Sequence, residues 1–204
     1  KNLLGHIPFV MEHADLRKPY MLSSRDRFTE QLYVGTARYI EWYEDLRDDD
    51  QIINVMGING PITRNGGACS YGSKEIRNYL MQAADMEHVI GHILIIDSKG
   101  GSAEAKYDFE QALTYVHEKK QPVIALVDGD CYSAAYALAA LCDEIYVMNK
   151  KNGVGCIGTM AAFYYTPDGA EDAQTKSIFV ERYAEGSPYK NKTFRDLANG
   201  DDTL

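Results

Sequence analysis

Apolar and polar positions change their period near residue 50 of the chain. Between Arg25 and Arg47, Phe28, Leu32, Tyr39, Ile40, Tyr43 and Leu46 recur at near-helical spacing, which predicts an amphipathic helix with aromatic residues on one side. Residues 1–24, with Pro8 and Pro19, read as an extended arm ahead of it. Asp48-Asp49-Asp50 marks a boundary. From Gln51 onward, short apolar runs alternate with helix-spaced segments. Ile52–Ile58, Ile93–Asp97, Val123–Val127 and Glu144–Met148 read as strands. Ser73–Asp85, Ala103–Lys119 and the stretch after Ser133 read as helices, with a glycine-rich loop at Gly66-Gly67 and turns over Gly153–Gly158. Recurring strand–helix units predict an α/β fold with a mainly parallel sheet. The expected division is an arm and helix over 1–50 and one domain over 51–204.

The run Val123–Val127 leads into Gly129-Asp130-Cys131-Tyr132-Ser133-Ala134-Ala135-Tyr136, and a helical stretch, Ala137-Leu138-Ala139-Ala140-Leu141, follows. A serine at a strand-to-helix junction lies beside the first N–H groups of the helix, which have no partner inside it. Those donors and the positive helix end favour an oxyanion next to the hydroxyl. Small Ala134 and Ala135 leave room for a substrate backbone. On the octapeptide alone, a serine N-cap is the more economical account. The run Ile93–Asp97 changes that balance. It ends in Ser98-Lys99-Gly100-Gly101-Ser102, and a Gly-Gly pair after a strand brings backbone close to a ligand with its N–H groups free to face a site. An ordinary turn before a helix capped by Ser102 explains one of these glycines easily and two less easily.

Taken together, these segments resemble the signal peptide peptidase family and the Clp proteases. Asp97-Ser98-Lys99-Gly100-Gly101 resembles their Asn/Asp-Ser-Pro-Gly-Gly segment, and Ser133-Ala134-Ala135-Tyr136 the Ser-Gly-Gly-Tyr of signal peptide peptidases. Asp143-Glu144-Ile145-Tyr146-Val147, Gly155-Cys156-Ile157-Gly158-Thr159 and Gly57-Ile58-Asn59-Gly60-Pro61-Ile62 resemble further segments, in the same order and at similar spacing. The likeness runs from about Ile53 to Lys192, and phage head-maturation proteases are equally similar. It implies the ββα superhelix shared by Clp proteases and crotonases. It also implies a serine–lysine dyad in a serine protease domain over 51–204, acting on a polypeptide without a cofactor or metal.

Ser133 is then the expected nucleophile, and Gly101 and Ala134 the expected oxyanion-hole donors. The base must be a lysine that is neutral near pH 7, a state that apolar burial favours. Lys176, Lys190 and Lys192 follow Ser133 at a suitable distance in sequence. Gly186-Ser187-Pro188-Tyr189-Lys190-Asn191 matches the family's lysine segment best, which selects Lys190, with Lys192 as the main competitor. Tyr189 and the Ile157 segment are the expected walls around it. Ala134, Ala135 and Met160 are expected to form a shallow apolar substrate pocket. The chain departs from the pattern at Lys99, where relatives have proline, at Ala134-Ala135 in place of Gly-Gly, and at Cys156, where many relatives have a serine that orients the lysine. A thiol is a weaker hydrogen-bond partner than that hydroxyl.

Composition narrows the alternatives. With 204 residues and 45% hydrophobic content the chain can bury one sizeable core. A net charge of -9 argues against nucleic-acid binding, which requires a basic face. Cys69, Cys131, Cys142 and Cys156 show no CxxC or metal-ligand spacing and read as free thiols of a reducing compartment, here the cytoplasm. Cys131 reads as a small buried hydrophobe rather than a nucleophile. The scattered histidines His6, His13, His88, His92 and His117 lie in no motif. No run of 18 apolar residues is present to span a membrane. Lys1 and the abrupt Asp202-Thr203-Leu204 end read as boundaries of a trimmed chain. The aromatic residues Phe28, Tyr39, Trp42 and Tyr43 are expected to serve a homo-oligomer. Capsid maturation in a phage is the first expected role and degradation of signal peptides the second. A crotonase-like acyl-CoA enzyme and an inactive scaffold of the same superfold are the remaining alternatives.

Overall fold

Residues 52–56 are buried in unbroken succession, as are 123–127. Strands that lose both faces to solvent read as continuous apolar runs, the mark of a covered parallel sheet. The computed structural model describes residues 30–34, 38–39, 51–67, 72–166 and 177–201. Two units are distinguished, Lys1–Val154 and Gly155–Leu204. The first contains β1 (Glu30–Val34), β2 (Arg38–Tyr39), β3 (Ile52–Asn59), α1 (Ser73–Asp85), β4 (Val89–Ser98), α2 (Ala105–Glu118), β5 (Val123–Tyr132), α3 (Ala134–Ala139) and β6 (Glu144–Val147), and β7 (Gly153–Gly155) spans the boundary. The sheet order is β2-β1-β3-β4-β5-β6, with β7 beside β5. β3, β4, β5 and β6 run parallel, whereas β1 is antiparallel to both β3 and β2. The class is mixed α/β with a mainly parallel sheet, as the sequence pattern predicts.

Side-chain alternation along the strands builds a layer on each face. Met56, Ile58, Leu94, Ile96, Ala125 and Val127 meet Ile76 and Leu80 of α1 and Phe109, Leu113 and Val116 of α2 in the larger cluster. Ile53, Val55, Ile93, Ile124 and Leu126 form the opposite layer. Each helix offers one apolar stripe: Ile76, Leu80, Ala83 and Ala84 on α1, and Ala105, Phe109, Ala112, Leu113 and Val116 on α2. Burying a side chain such as Phe109, fully inaccessible here, contributes roughly 1.5–3 kcal/mol. Two side-chain clusters inside are hydrogen-bonded, although the Asn54 side-chain oxygen has no hydrogen-bond partner among the described residues. His92 bonds Asn54 and Gln121, each at 2.9 Å, and Ser73 donates to Asp108 at 2.6 Å.

The amphipathic helix expected over Arg25–Arg47 is not what the described part of that stretch forms. Glu30–Val34 and Arg38–Tyr39 are strands, and β1 pairs with β3 from Glu30↔Met56 to Val34↔Ile52. The unpaired edge of β3 offers a ladder of hydrogen bonds, and Leu32-Tyr33-Val34 suits a strand at least as well as a helix. Residues 1–24, Phe28, Trp42 and Tyr43 lie outside the described residues. The helix expected over Ala103–Lys119 begins at Ala105, and its N-cap position is Glu104, which makes no side-chain cap, rather than Ser102.

In the second unit, β8 (Met160–Tyr165) and β9 (Ile178–Tyr183) form an antiparallel ribbon, and α4 (Lys192–Ala198) follows. The sequence pattern predicts none of these three elements.

Candidate active site

β5 ends at Tyr132 and α3 begins at Ala134, so Ser133 alone makes the turn between them. Its backbone sits at φ 56 and ψ -119. That is the conformation of the first central residue in a type II′ turn, which favours glycine. Holding a serine there costs about 1–3 kcal/mol, and such strain collects at functional sites. Ser133 occupies the N-cap position, yet its side chain makes no capping hydrogen bond. A capping role for its side chain therefore fails. The Ala134 N–H belongs to the first turn of α3, where no intrahelical acceptor exists.

The Gly-Gly loop packs against this turn. Gly100 adopts φ +91, and a Cβ on it would lie 2.7 Å from the Ser133 Cβ and 2.8 Å from the Ala134 nitrogen. Only glycine fits such an approach. The Ile62 N–H donates to the Gly100 carbonyl at 2.9 Å, and the Ser102 N–H donates to the Ile62 carbonyl at 2.8 Å. Both bonds lie on one side of Gly101. The described chain has no cis peptide, so the Gly101 N–H points opposite to the Gly100 carbonyl, away from Ile62. The Ser98 hydroxyl accepts the Gly100 N–H at 3.1 Å. Asp97 accepts the Asp130 N–H at 3.0 Å, tying the end of β4 to the approach of β5 toward Ser133. Lys99 is exposed, with its ammonium 3.9 Å from Asp130.

Ser133, Ala134, Gly100 and Gly101 are thus brought together within the first unit. Ala134 and Ala135 do not line a substrate pocket as expected. They are 7% and 0% exposed and belong to the core. Cys131 is buried, and desolvation pushes its thiol up to about 11, which leaves it protonated at neutral pH. Burial likewise pushes Cys142 to about 12.

Lys190 belongs to the second unit. It is only 6% exposed, and its ammonium donates to the Cys156 carbonyl at 2.9 Å. Burial of a lysine at this level is rare. Asn191 follows in the left-handed conformation at φ 52 and reverses the chain, so that α4 starts at Lys192. Lys192 consequently faces solvent and pairs with Asp196 one turn on, a contact that raises its pKa. A lysine held charged in this way is unsuited to act as a base. Lys176 lies outside the described residues. Tyr189 and Ile157, the expected walls, are 79% and 64% exposed. The polar surroundings come instead from other residues of the two motif segments, Gly155–Thr159 and Gly186–Asn191. Ser187 is buried and accepts the Thr159 N–H at 2.8 Å, and the Cys156 thiol lies 3.9 Å from the Asn191 side-chain oxygen. Among the described residues, no group of three His, Cys, Asp or Glu side chains is arranged to hold a metal ion. Nor is any described helix long and apolar enough to cross a membrane.

No family model matches the sequence. No curated protein matches it either. The chain is similar to solved structures of Clp type and crotonase type. A ClpP1 mutant from Listeria monocytogenes matches at 17% identity and a TM-score of 0.36, over 43% of this chain and 46% of its own. A mutant of the 1510-N membrane-bound stomatin-specific protease matches at 20% identity and 0.42, over 59% and 53%. An enoyl-CoA hydratase from Polaromonas matches at 15% identity and 0.36, over 47% and 44%. The chain spans about half the length of these solved proteins.

Proposed function

We propose that the chain is a serine endopeptidase in which Ser133 is the nucleophile and Lys190 the general base. The observation that carries this reading is the Ser133 turn, a strained serine that caps no helix and lies against a glycine loop. In the reading, the Lys190 amine takes the Ser133 hydroxyl proton as Oγ attacks the scissile carbonyl carbon. The Gly101 and Ala134 N–H groups donate to the oxygen that gains charge. The tetrahedral species then collapses, the C–N bond breaks, and the Lys190 ammonium returns its proton to the leaving amine. Water, deprotonated by the same lysine, cleaves the acyl-enzyme and regenerates Ser133. Lys190 is the base of choice because it is buried and held by the Cys156 carbonyl, whereas Lys192 is paired with an acid.

The substrate in this reading is an extended polypeptide, whether a capsid precursor or a released signal peptide. The testing experiment is cleavage of an unstructured polypeptide by the wild type and by Ser133→Ala. Loss of cleavage in the variant supports the peptidase. Retained cleavage would overturn Ser133 as the nucleophile, and turnover of an acyl-CoA thioester instead would point to a crotonase-like enzyme that uses the same two N–H groups without the serine.

The reading includes a homo-oligomer. Its support is the β8–β9 ribbon, where Phe163, Tyr164, Tyr165, Ile178 and Phe179 are 44–72% exposed. An isolated two-stranded ribbon is marginal in water, and aromatic residues are frequent interface anchors. Light scattering should give a multiple of the chain mass that falls to one in a Tyr164→Ser, Phe179→Ser double variant. A wild-type monomer at high concentration would contradict it.

A further inference from the structure

We propose that Ser98 is a positioning residue that sets the direction of the Gly101 N–H, an inference that rests on the peptidase reading above. Ser98 ends β4 and is 2% exposed. Its hydroxyl donates to the Gly60 carbonyl at 2.6 Å and accepts the Gly100 N–H at 3.1 Å. One oxygen therefore joins the loop after β3 to the Gly-Gly loop after β4. The Gly60 N–H in turn donates to the Asp97 carbonyl at 3.0 Å, so the two loops are tied by backbone as well.

The consequence falls on Gly100. A glycine at φ +91 has no side chain to limit its rotation. Ser98 holds its N–H, and Ile62 holds its carbonyl at 2.9 Å. Fixing both ends of the residue fixes the next peptide plane, and that plane carries the Gly101 N–H. Without the Ser98 hydroxyl, the buried Gly100 N–H loses its acceptor. The Ile62 bond to the Gly100 carbonyl then holds that plane without support from the Gly100 N–H, and its alignment loosens. Oxyanion donors act through prior alignment on charge that develops in the transition state, so a donor that must be reoriented costs more there than at substrate binding. A serine that only stabilised the fold would lower the melting temperature without separating those two effects.

The test uses the full chain with Ser98→Ala and Ser98→Thr. Three quantities are read: kcat and KM on an unstructured polypeptide, affinity for a peptide aldehyde against its matching alcohol, and amide hydrogen exchange at Gly100 and Gly101. The Ser133 Oγ bonds to the aldehyde carbon and the hydroxyl proton passes to the former carbonyl oxygen, giving a hemiacetal whose oxygen lies where the oxyanion would. The alcohol forms no such bond. For Ser98→Ala the expected result is a fall in kcat of about 10- to 100-fold, below the full loss of one oxyanion donor. KM and alcohol affinity should stay within about threefold, aldehyde affinity should fall with kcat, and exchange at Gly100 and Gly101 should quicken. Ser98→Thr, which keeps the hydroxyl, should restore most of each. Unchanged kcat with unchanged exchange would overturn the proposal, as would equal losses of aldehyde and alcohol affinity. If the wild type shows no cleavage that depends on Ser133, the peptidase reading falls and exchange alone decides the role of Ser98. Faster exchange at both glycines in Ser98→Ala, with the melting temperature kept, then supports the hold on the loop. Unchanged exchange overturns it.

Discussion

Gly100 lies so close to Ser133 that a methyl group on its Cα would sit 2.7 Å from the serine Cβ. The same methyl would sit 2.8 Å from the Ala134 nitrogen, and the residue holds φ +91. Gly100→Ala therefore faces both a clash with backbone and an unfavourable dihedral. The variant should lose at least about 2 kcal/mol of stability and all detectable cleavage. Thermal melts and a peptide assay check this together. A Gly100→Ala protein with native stability and activity would mean that the loop does not approach the serine as described.

The strain at Ser133 makes a second prediction. Glycine adopts φ 56 and ψ -119 without penalty, whereas alanine does not. Both substitutions remove the hydroxyl, so comparing them isolates the backbone. Ser133→Gly should be more stable than Ser133→Ala by about 1 kcal/mol, the strain relieved less the entropy that glycine adds to the unfolded chain. Denaturant titration of the two inactive proteins measures the difference. Equal stability would remove strain from the account of this turn.

The core of this picture is legible in the sequence because buried parallel strands write themselves as unbroken apolar runs. Val123–Val127 and Ile93–Asp97 lie inside β5 and β4, and α1 matches its expected span Ser73–Asp85. The motif at Ser133 lies at a strand–helix junction for the same reason, since a change of period is visible there. Periodicity fails where tertiary context decides. Leu32-Tyr33-Val34 fits a helical stripe, but the open edge of β3 draws it into a ladder. The β8–β9 ribbon is missed because Ala161-Ala162-Phe163-Tyr164-Tyr165 does not alternate between apolar and polar positions. The difference in burial between Lys190 and Lys192 is also beyond sequence. It follows the left-handed turn at Asn191, after which α4 starts with Lys192.

That contrast yields a third prediction. Lys190→Met should lower kcat on the order of 10⁴-fold or more, as removal of a general base does in an analogous serine protease. Lys190→Arg should not rescue it, because a guanidinium does not give up its proton. Lys192→Met removes an exposed ion pair with Asp196 and should change kcat less than about threefold. A reversed pattern, with Lys192 essential and Lys190 dispensable, would transfer the role.

Stability should also depend on pH through His92. Its ring is fully buried, and desolvation lowers its pKa from the ordinary value despite the Gln121 hydrogen bond. The unfolded chain then binds a proton more readily than the folded one. Stability from this group is complete above the unfolded pKa of about 6.5 and is lost as pH falls from there toward the folded pKa. Melting temperatures should decline from pH 7 to pH 5, and His92→Gln should flatten part of that slope. An identical slope in the variant would show that other groups carry it.

The most direct test of the central claim is reaction with a fluorophosphonate. In this account Ser133 Oγ bonds to phosphorus, fluoride leaves, and the hydroxyl proton passes to Lys190. Mass spectrometry of the digested protein should find a single adduct on the peptide that holds Ser133. The adduct should vanish in Ser133→Ala and form far more slowly in Lys190→Met. No adduct on the folded wild-type protein, or an adduct that survives Ser133→Ala, would contradict the assignment of Ser133 as the nucleophile.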